Sequence, residues 1–147
     1  MPRERQDPNL GILLFVTYRA LERRAHEAVV ASGITDITPA QARVAARIGP
    51  HGSRVSDLAE QARVTKQSAG FLVDHLEAAG YVERVPDPAD RRARLVRLTP
   101  RADRVVKIAN AEVERALAEW VDHVGADRLL QVYETLRDLR EITDPWR

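Results

Sequence analysis

The sequence predicts a mainly α-helical domain with one small β-hairpin set late in the chain. Three observations carry this expectation. Apolar residues recur at helical spacing through most of the 147 residues, two Thr-Pro pairs have the form of helix starts, and two short alternating segments flank the charged turn PDPAD.

The first helix is expected over residues 8 to 31. Leu10, Leu13, Leu14, Tyr18, Leu21, Ala25, Ala28 and Val29 form one stripe, and Ile12, Phe15 and Val16 widen it past a single face. A helix apolar on two sides has to be covered on two sides, by its own domain and a second subunit or by a deep single core. After Ser32-Gly33, the run Thr38-Pro39-Ala40-Gln41 supplies a Thr N-cap, Pro in the first turn and Gln in the capping-box position. That helix is expected to reach about Ile48, before Gly49-Pro50. SRVSDLAEQARV reads as a short helix opened by Ser56, and TKQSAGFLVDHLEAAG as another opened by Thr65 and closed by Gly80.

YVERV (81–85) and RLVRLT (94–99) read as strands, with residues 86–93 as the loop between them. Thr99-Pro100 repeats the helix-start signal. The long helix it opens is expected to turn Val106, Ala109, Val113, Leu117, Trp120, Val121 and Val124 inward, and Gly125 interrupts it. A last helix carries Leu129, Val132, Tyr133, Leu136 and Leu139 on one face and ends before Asp144-Pro145.

Composition narrows the function. Net charge is only +1, but residues 38–100 carry 10 basic and 7 acidic side chains, and Arg84, Arg91, Arg92, Arg94 and Arg97 crowd the hairpin. Clustered charge steers an anionic partner even at low net charge. The chain has no cysteine, which excludes disulfides, thiolate metal sites and thiol redox sensing. His26, His51, His75 and His123 lack the short spacing of a metal site, and no Gly-rich phosphate loop occurs, so neither an enzyme nor a cofactor is expected. The longest run of aliphatic and aromatic residues, ILLFV (12–16), is far too short for a membrane span, and the start MPRERQDP lacks a signal peptide's apolar core. A cytoplasmic address without membrane contact is the expectation.

The segments 56–62 and 65–79 have the form of a helix-turn-helix around Arg63 and Val64. Leu58, Ala59, Val64, Ala69, Leu72, Val73 and Leu76 make its packed side, and Lys66, Gln67, Gly70, Phe71 and Asp74, with Ser68 at the edge, its outer side. Such an end suits a DNA major groove, where Gln and Ser read base edges, Lys meets phosphate and Phe touches a thymine methyl. A helical hairpin alone is equally compatible with a bundle whose second helix faces solvent. The hairpin that follows tips the balance, because a helix pair with a basic two-stranded ribbon makes a winged helix whose arginines suit a narrow minor groove. The alternative is a winged helix that docks a protein without reading sequence, with Phe71 as apolar anchor.

With the pair VSDLAEQARVTKQSAGFLVDHLEAAGYVER and the wing DPADRRARLVRLT, the chain resembles the MarR family of winged-helix transcriptional regulators over nearly its whole length. The resemblance implies one domain, 1–147, with residues 38–99 as the DNA-binding winged helix and 8–37 and 100–147 as dimerisation helices. It implies a homodimer on double-stranded DNA with a near-palindromic operator, acting as a ligand-responsive repressor. Thr65, Lys66, Gln67, Ser68, Gly70 and Phe71 would contact DNA from the helix, Arg92 would enter the minor groove with Arg91 and Arg94 beside it, and Asp90 would brace the wing on a nearby arginine. A small aromatic or anionic effector is implied too. Phe15, Tyr18, Arg19 and His26 are candidates to line its cavity, and are equally good core or interface residues. Three positions depart from the family pattern: Phe71 replaces an arginine or other polar residue, Arg63 a turn glycine, and Ala102 a glycine after the Leu-Thr pair.

Overall fold

Among the described residues, three of the six helices begin where the sequence places a side-chain acceptor for backbone N–H groups that no preceding turn can satisfy. The computed structural model describes residues 7–146. Along them run α1 (Leu10–Ala31), α2 (Pro39–Ala45), α3 (Val55–Ala62), α4 (Lys66–Ala78), β1 (Val82–Asp87), β2 (Asp90–Leu98), α5 (Pro100–Val124) and α6 (Ala126–Thr143). The start MPRERQDP, read above for a leader, lies outside the described residues except for Asp7 and Pro8. None of these helices is long and apolar enough to cross a membrane.

Asn9 caps α1 by accepting from Ile12 N at 3.0 Å. At α2 the capping box is complete, with Thr38 Oγ1 accepting from Gln41 N at 3.2 Å and Gln41 Oε1 accepting from Thr38 N at 3.0 Å. Thr65 Oγ1 accepts from Ser68 N at 3.0 Å to open α4. Two expected caps are not used. Ser56 lies inside α3, whose N-cap position is Arg54, because Ser53 is paired to Val96 by reciprocal backbone bonds of 2.9 and 2.8 Å and the chain turns helical directly after it. Thr99 stands at the N-cap of α5, but its hydroxyl donates to the Gly80 carbonyl at 2.5 Å and so ties the two ends of the hairpin together. Regular helix in α2 ends at Ala45, with tighter turns carrying the chain to Ile48.

One core joins these elements. Val29, Ile37, Val44, Leu58, Val73, Leu76, Tyr81, Val82, Val96 and Ala102 are buried together, so the end of α1, the helices α2 to α4, the hairpin and the start of α5 share it. Ala102 sets the phase of α5. Residues three, six and seven positions on, Val105, Ile108 and Ala109, pack on the core, and Val106, expected inward, is exposed. The small side chain at 102 fits the core without disturbing the helix start at Pro100.

Beyond the core α1 packs on α5, fastened by Arg24, which donates to Glu112 Oε1 at 2.7 and 3.0 Å and to Glu119. Gly125, at φ 93°, separates α5 from α6, a conformation that glycine adopts at little cost. No residue of α6 is buried. Leu130, Val132, Tyr133, Leu136, Leu139 and Ile142 are all exposed, as are Leu10, Ile12, Leu13, Leu14, Phe15, Val16 and Tyr18 on α1.

Candidate nucleic-acid interface

The helix pair turns through Arg63, at φ 57° and ψ 41°, where the left-handed conformation usually calls for glycine. Among the described residues it is the only non-glycine with positive φ. The turn is held by Arg63 N to Glu60 O at 3.2 Å and Val64 N to Ala59 O at 3.0 Å. Leu58, Ala59, Ala69, Val73 and Leu76 are buried as expected, and Leu72 packs beside them. Val64 is not part of that side: it is exposed and lines the cleft beside Arg63 and Trp146.

The outer side of α4 presents Lys66, Gln67, Ser68, Phe71 and Asp74 to solvent, with Gly70 between them. Thr65 is occupied as the cap, its hydroxyl also donating to Ser68 Oγ at 2.9 Å. Phe71 is 63% exposed, its ring edge-on to His75 at a centroid distance of 4.5 Å. Arg84 of β1 fixes the wing against this helix, donating to Asp74 Oδ1 and Glu77 Oε1 at 2.7 Å each.

The hairpin is tighter at its end than the sequence implied. The strands extend to Asp87 and Asp90, so the turn itself is only Pro88-Ala89, and residues expected in the loop belong to β2. Its register then breaks. Pro86 pairs with Arg94 and Asp87 with Asp90, which leaves Arg91, Arg92 and Ala93 without partners on β1. Pro86 has no N–H to offer the ladder, and a bulge of this kind re-aims the side chains it carries.

The residues that hold this tip are not among those the sequence singles out. Arg54 Nη2 and Nε lie 2.7 and 3.0 Å from Asp87 Oδ2, while Asp87 Oδ1 accepts from Ala89 N at 2.8 Å. The Ala89 N–H and the Arg54 guanidinium together hold the Asp87 carboxyl below the usual carboxylate range. Asp90, expected as the brace, also pairs with Arg54, at 4.0 Å and without a hydrogen bond, and uses Oδ1 to accept from Arg92 N at 3.0 Å. The hydrogen-bonded brace is therefore Asp87. The signal available in the sequence was the first aspartate of PDPAD and its short reach to the Ala89 amide; its arginine lies 33 residues away.

The wing arginines divide into two groups. Arg84 and Arg97 are spent on carboxylates, the latter on Glu83 at 2.6 Å, and Arg94 Nη2 donates to the Arg84 carbonyl at 3.0 Å. Arg91 and Arg92 are exposed and, among the described residues, make no ion pair; Lys66 and Arg63 at the helix pair are likewise free.

The proposed effector residues are not gathered in one cleft of the protomer. Phe15, Tyr18 and Arg19 are exposed on α1, and His26 is half-buried. Tyr18 donates to Glu22 at 3.2 Å, Arg19 pairs with the same carboxylate at 3.0 Å, and Arg43 of α2 grips it as well. Burial and the Glu22 charge raise the Tyr18 pKa, and the Arg43 hydrogen bond lowers that of Glu22. A cleft of about 600 Å³ lies between the turn at Arg63 and the segment ending at Trp146, and one of about 350 Å³ around Asp36, Tyr81 and Arg101. Neither includes any of the four.

Residues 35–93, the helix pair and most of the wing, match the model of the MarR family. The transcriptional activatory protein BadR of Rhodopseudomonas palustris is 31% identical over 134 residues, 89% of this chain and 74% of BadR. The HTH-type transcriptional regulator YfiV of Bacillus subtilis is 28% identical over 69% of this chain, a match spanning 64% of YfiV. CouR from Rhodococcus jostii RHA1, solved bound to p-coumaroyl-CoA, has the same fold, with a TM-score of 0.69 at 24% identity over 93% of each chain. A hairpin locked to the helix beside it, with exposed cations at its tip, is thus found in a chain similar to proteins that regulate transcription, and the chain belongs to the MarR family of DNA-binding regulators.

Proposed function

We propose that this protein acts as a homodimer that represses transcription from a near-palindromic operator and is released by a small aromatic or anionic effector. In this reading α4 enters the major groove with Lys66, Gln67, Ser68, Gly70 and Phe71 toward the bases and phosphates, with Thr65 supporting them. The wing lies along the adjacent minor groove with Arg92 inserted and Arg91 beside it. The observation that carries the reading is the division among the cations. Arg54, Arg84, Arg94 and Arg97 are satisfied inside the winged helix, while Lys66, Arg91 and Arg92 are exposed without an ion partner among the described residues. Phosphates are the partner that such cations suit.

Dimerisation supplies the symmetry. The exposed apolar residues of α1 and α6 exceed what a monomer leaves in water, and a second copy covering both would set two recognition helices one DNA turn apart. A dimer lying across a promoter blocks polymerase, which makes repression the reading; BadR, named as activatory, shows that a relative can have the opposite sign. The effector reading draws on CouR, solved with an aromatic, anionic thioester. For this chain the effector would lie against Phe15, Tyr18, Arg19 and His26, where a second protomer supplies the walls of a cavity that one protomer does not form.

The test is selection of genomic fragments by the full chain, followed by transcription in vitro from a promoter carrying the selected site. Inverted repeats about one turn apart and a fall in transcript support the reading. Sites without symmetry, or a rise in transcript, refute the operator and repressor readings respectively.

A further inference from the structure

We propose that Gly70 and Phe71 form a notch that reads the 5-methyl group of a thymine, so that part of the operator's sequence is recognised through apolar contact. The inference rests on the reading that α4 enters the major groove.

Gly70 has no internal reason to be glycine. It lies mid-helix, where glycine lowers stability relative to alanine, its φ is not positive, and a Cβ built there would meet nothing within 4 Å. Neither the backbone nor the packing of this chain excludes a side chain. What its absence admits is a close approach from outside the protein.

Phe71 stands next to that gap with most of its ring in water, on a helix whose apolar face is otherwise turned to the core. The ring is not loose. His75, one turn further on, meets it at 67° between planes and restricts its orientation. Gln67, Gly70, Phe71 and Asp74 fall at i, i+3, i+4 and i+7, so the notch shares its face with a side chain able to read base edges. Asp74 does not spoil this face for DNA, since its carboxylate is paired with Arg84 at 2.7 Å.

The major-groove edges of the bases offer one apolar group, the thymine methyl, and a phenyl ring beside a missing side chain is a shape that takes it. Cytosine lacks the methyl and would leave the notch wet.

The experiment uses the full chain and an operator selected from random DNA, in which each thymine is replaced in turn by deoxyuridine. The expected result is one thymine per half-site where losing the methyl weakens binding about fourfold, the worth of one buried methyl-sized group. Phe71→Ala is expected to bind the parent operator more weakly and to lose its dependence on that methyl, with unchanged circular dichroism and unchanged affinity for random DNA. Gly70→Ala is expected to raise Tm by about 2–4 °C and still weaken operator binding, since the helix gains what the groove loses. Indifference to every methyl, or the same methyl dependence in Phe71→Ala, would overturn the notch while leaving major-groove binding standing. Failure to enrich any sequence would overturn both.

Discussion

Arg54 grips a single oxygen of Asp87, with Nη2 at 2.7 Å and Nε at 3.0 Å from Oδ2, and so joins the start of α3 to the end of the wing. Asp87 is 7% exposed, the one buried polar or charged residue among those described. The wing's position is therefore set from the helix pair at two places, here and at Arg84 with Asp74 and Glu77.

Breaking that grip should loosen the tip before it harms the fold. Asp87→Ala and Arg54→Ala are each expected to speed amide exchange at Ala89 and Arg92 and to weaken operator binding, while α4 keeps its protection. Because the two residues act as one unit, the double variant should be little worse than either single one. Hydrogen exchange followed by NMR checks this, and additive losses would show that the pair is not the unit.

Arg92 and Arg94 should behave differently although they are two residues apart. Arg92→Ala removes a side chain with no partner among the described residues, so the melting temperature should hold while the slope of log affinity against log salt falls by about 1. Arg94→Ala also removes the bond to the Arg84 carbonyl, and a lower melting temperature is expected with it. Binding isotherms at several salt concentrations, with thermal melts, separate the two.

Thr65 and Gln67 divide structure from recognition at the start of α4. Thr65→Ala removes the cap on Ser68 N and should cost about 1 kcal/mol of stability. Gln67→Ala breaks no side-chain bond among the described residues and should leave stability unchanged while costing about 1–3 kcal/mol on the operator and little on random DNA. Urea unfolding and competition binding measure both. Equal losses on the two DNAs would move Gln67 to a phosphate-holding role.

The exposed faces of α1 and α6 should be buried in solution. Light scattering at micromolar concentration is expected to give a dimer, and Leu14→Glu or Leu136→Glu a monomer. Wild-type Tm should rise with protein concentration, as mass action requires of a dimer that melts to unfolded chains.

Acid should unfold the protein through its paired carboxylates. Hydrogen bonds from Arg140 and Arg47 hold Asp144 down to about 2, those from Arg24 and Arg115 lower Glu112, and Arg24 lowers Glu119. Each folded pKa lies below its unfolded value, so the stability these groups add is complete above about pH 4–5 and is lost as pH falls toward 2. Unfolding free energy measured from pH 7 to 2 should be flat and then decline. In Asp144→Asn the last part of the decline should be smaller, and an unchanged acid limb would show that this group adds nothing.

The sequence by itself determined the number and order of the elements, because helix starts and apolar periodicity are local. Thr38, Pro39 and Gln41 make the capping box with each other, and the stripe from Leu10 to Val29 describes one helix whatever it packs on. The exposure of Lys66, Gln67, Ser68, Phe71, Arg91 and Arg92 on the outer side of the helix pair and wing was legible for the same reason. Tertiary structure decided everything that depended on a partner distant in sequence. Ser56 lost its cap role to the Ser53–Val96 pairing, and Thr99 turned from capping α5 to the Gly80 carbonyl. Val106 lost its inward place to the phase set by buried Ala102, and the hydrogen-bonded share of the brace went to Asp87, beside Asp90, because Arg54 arrives from 33 residues away. Which arginines are spent and which remain free is also a tertiary result, since equal charges along one strand become unequal only when some of them find carboxylates or carbonyls across the fold.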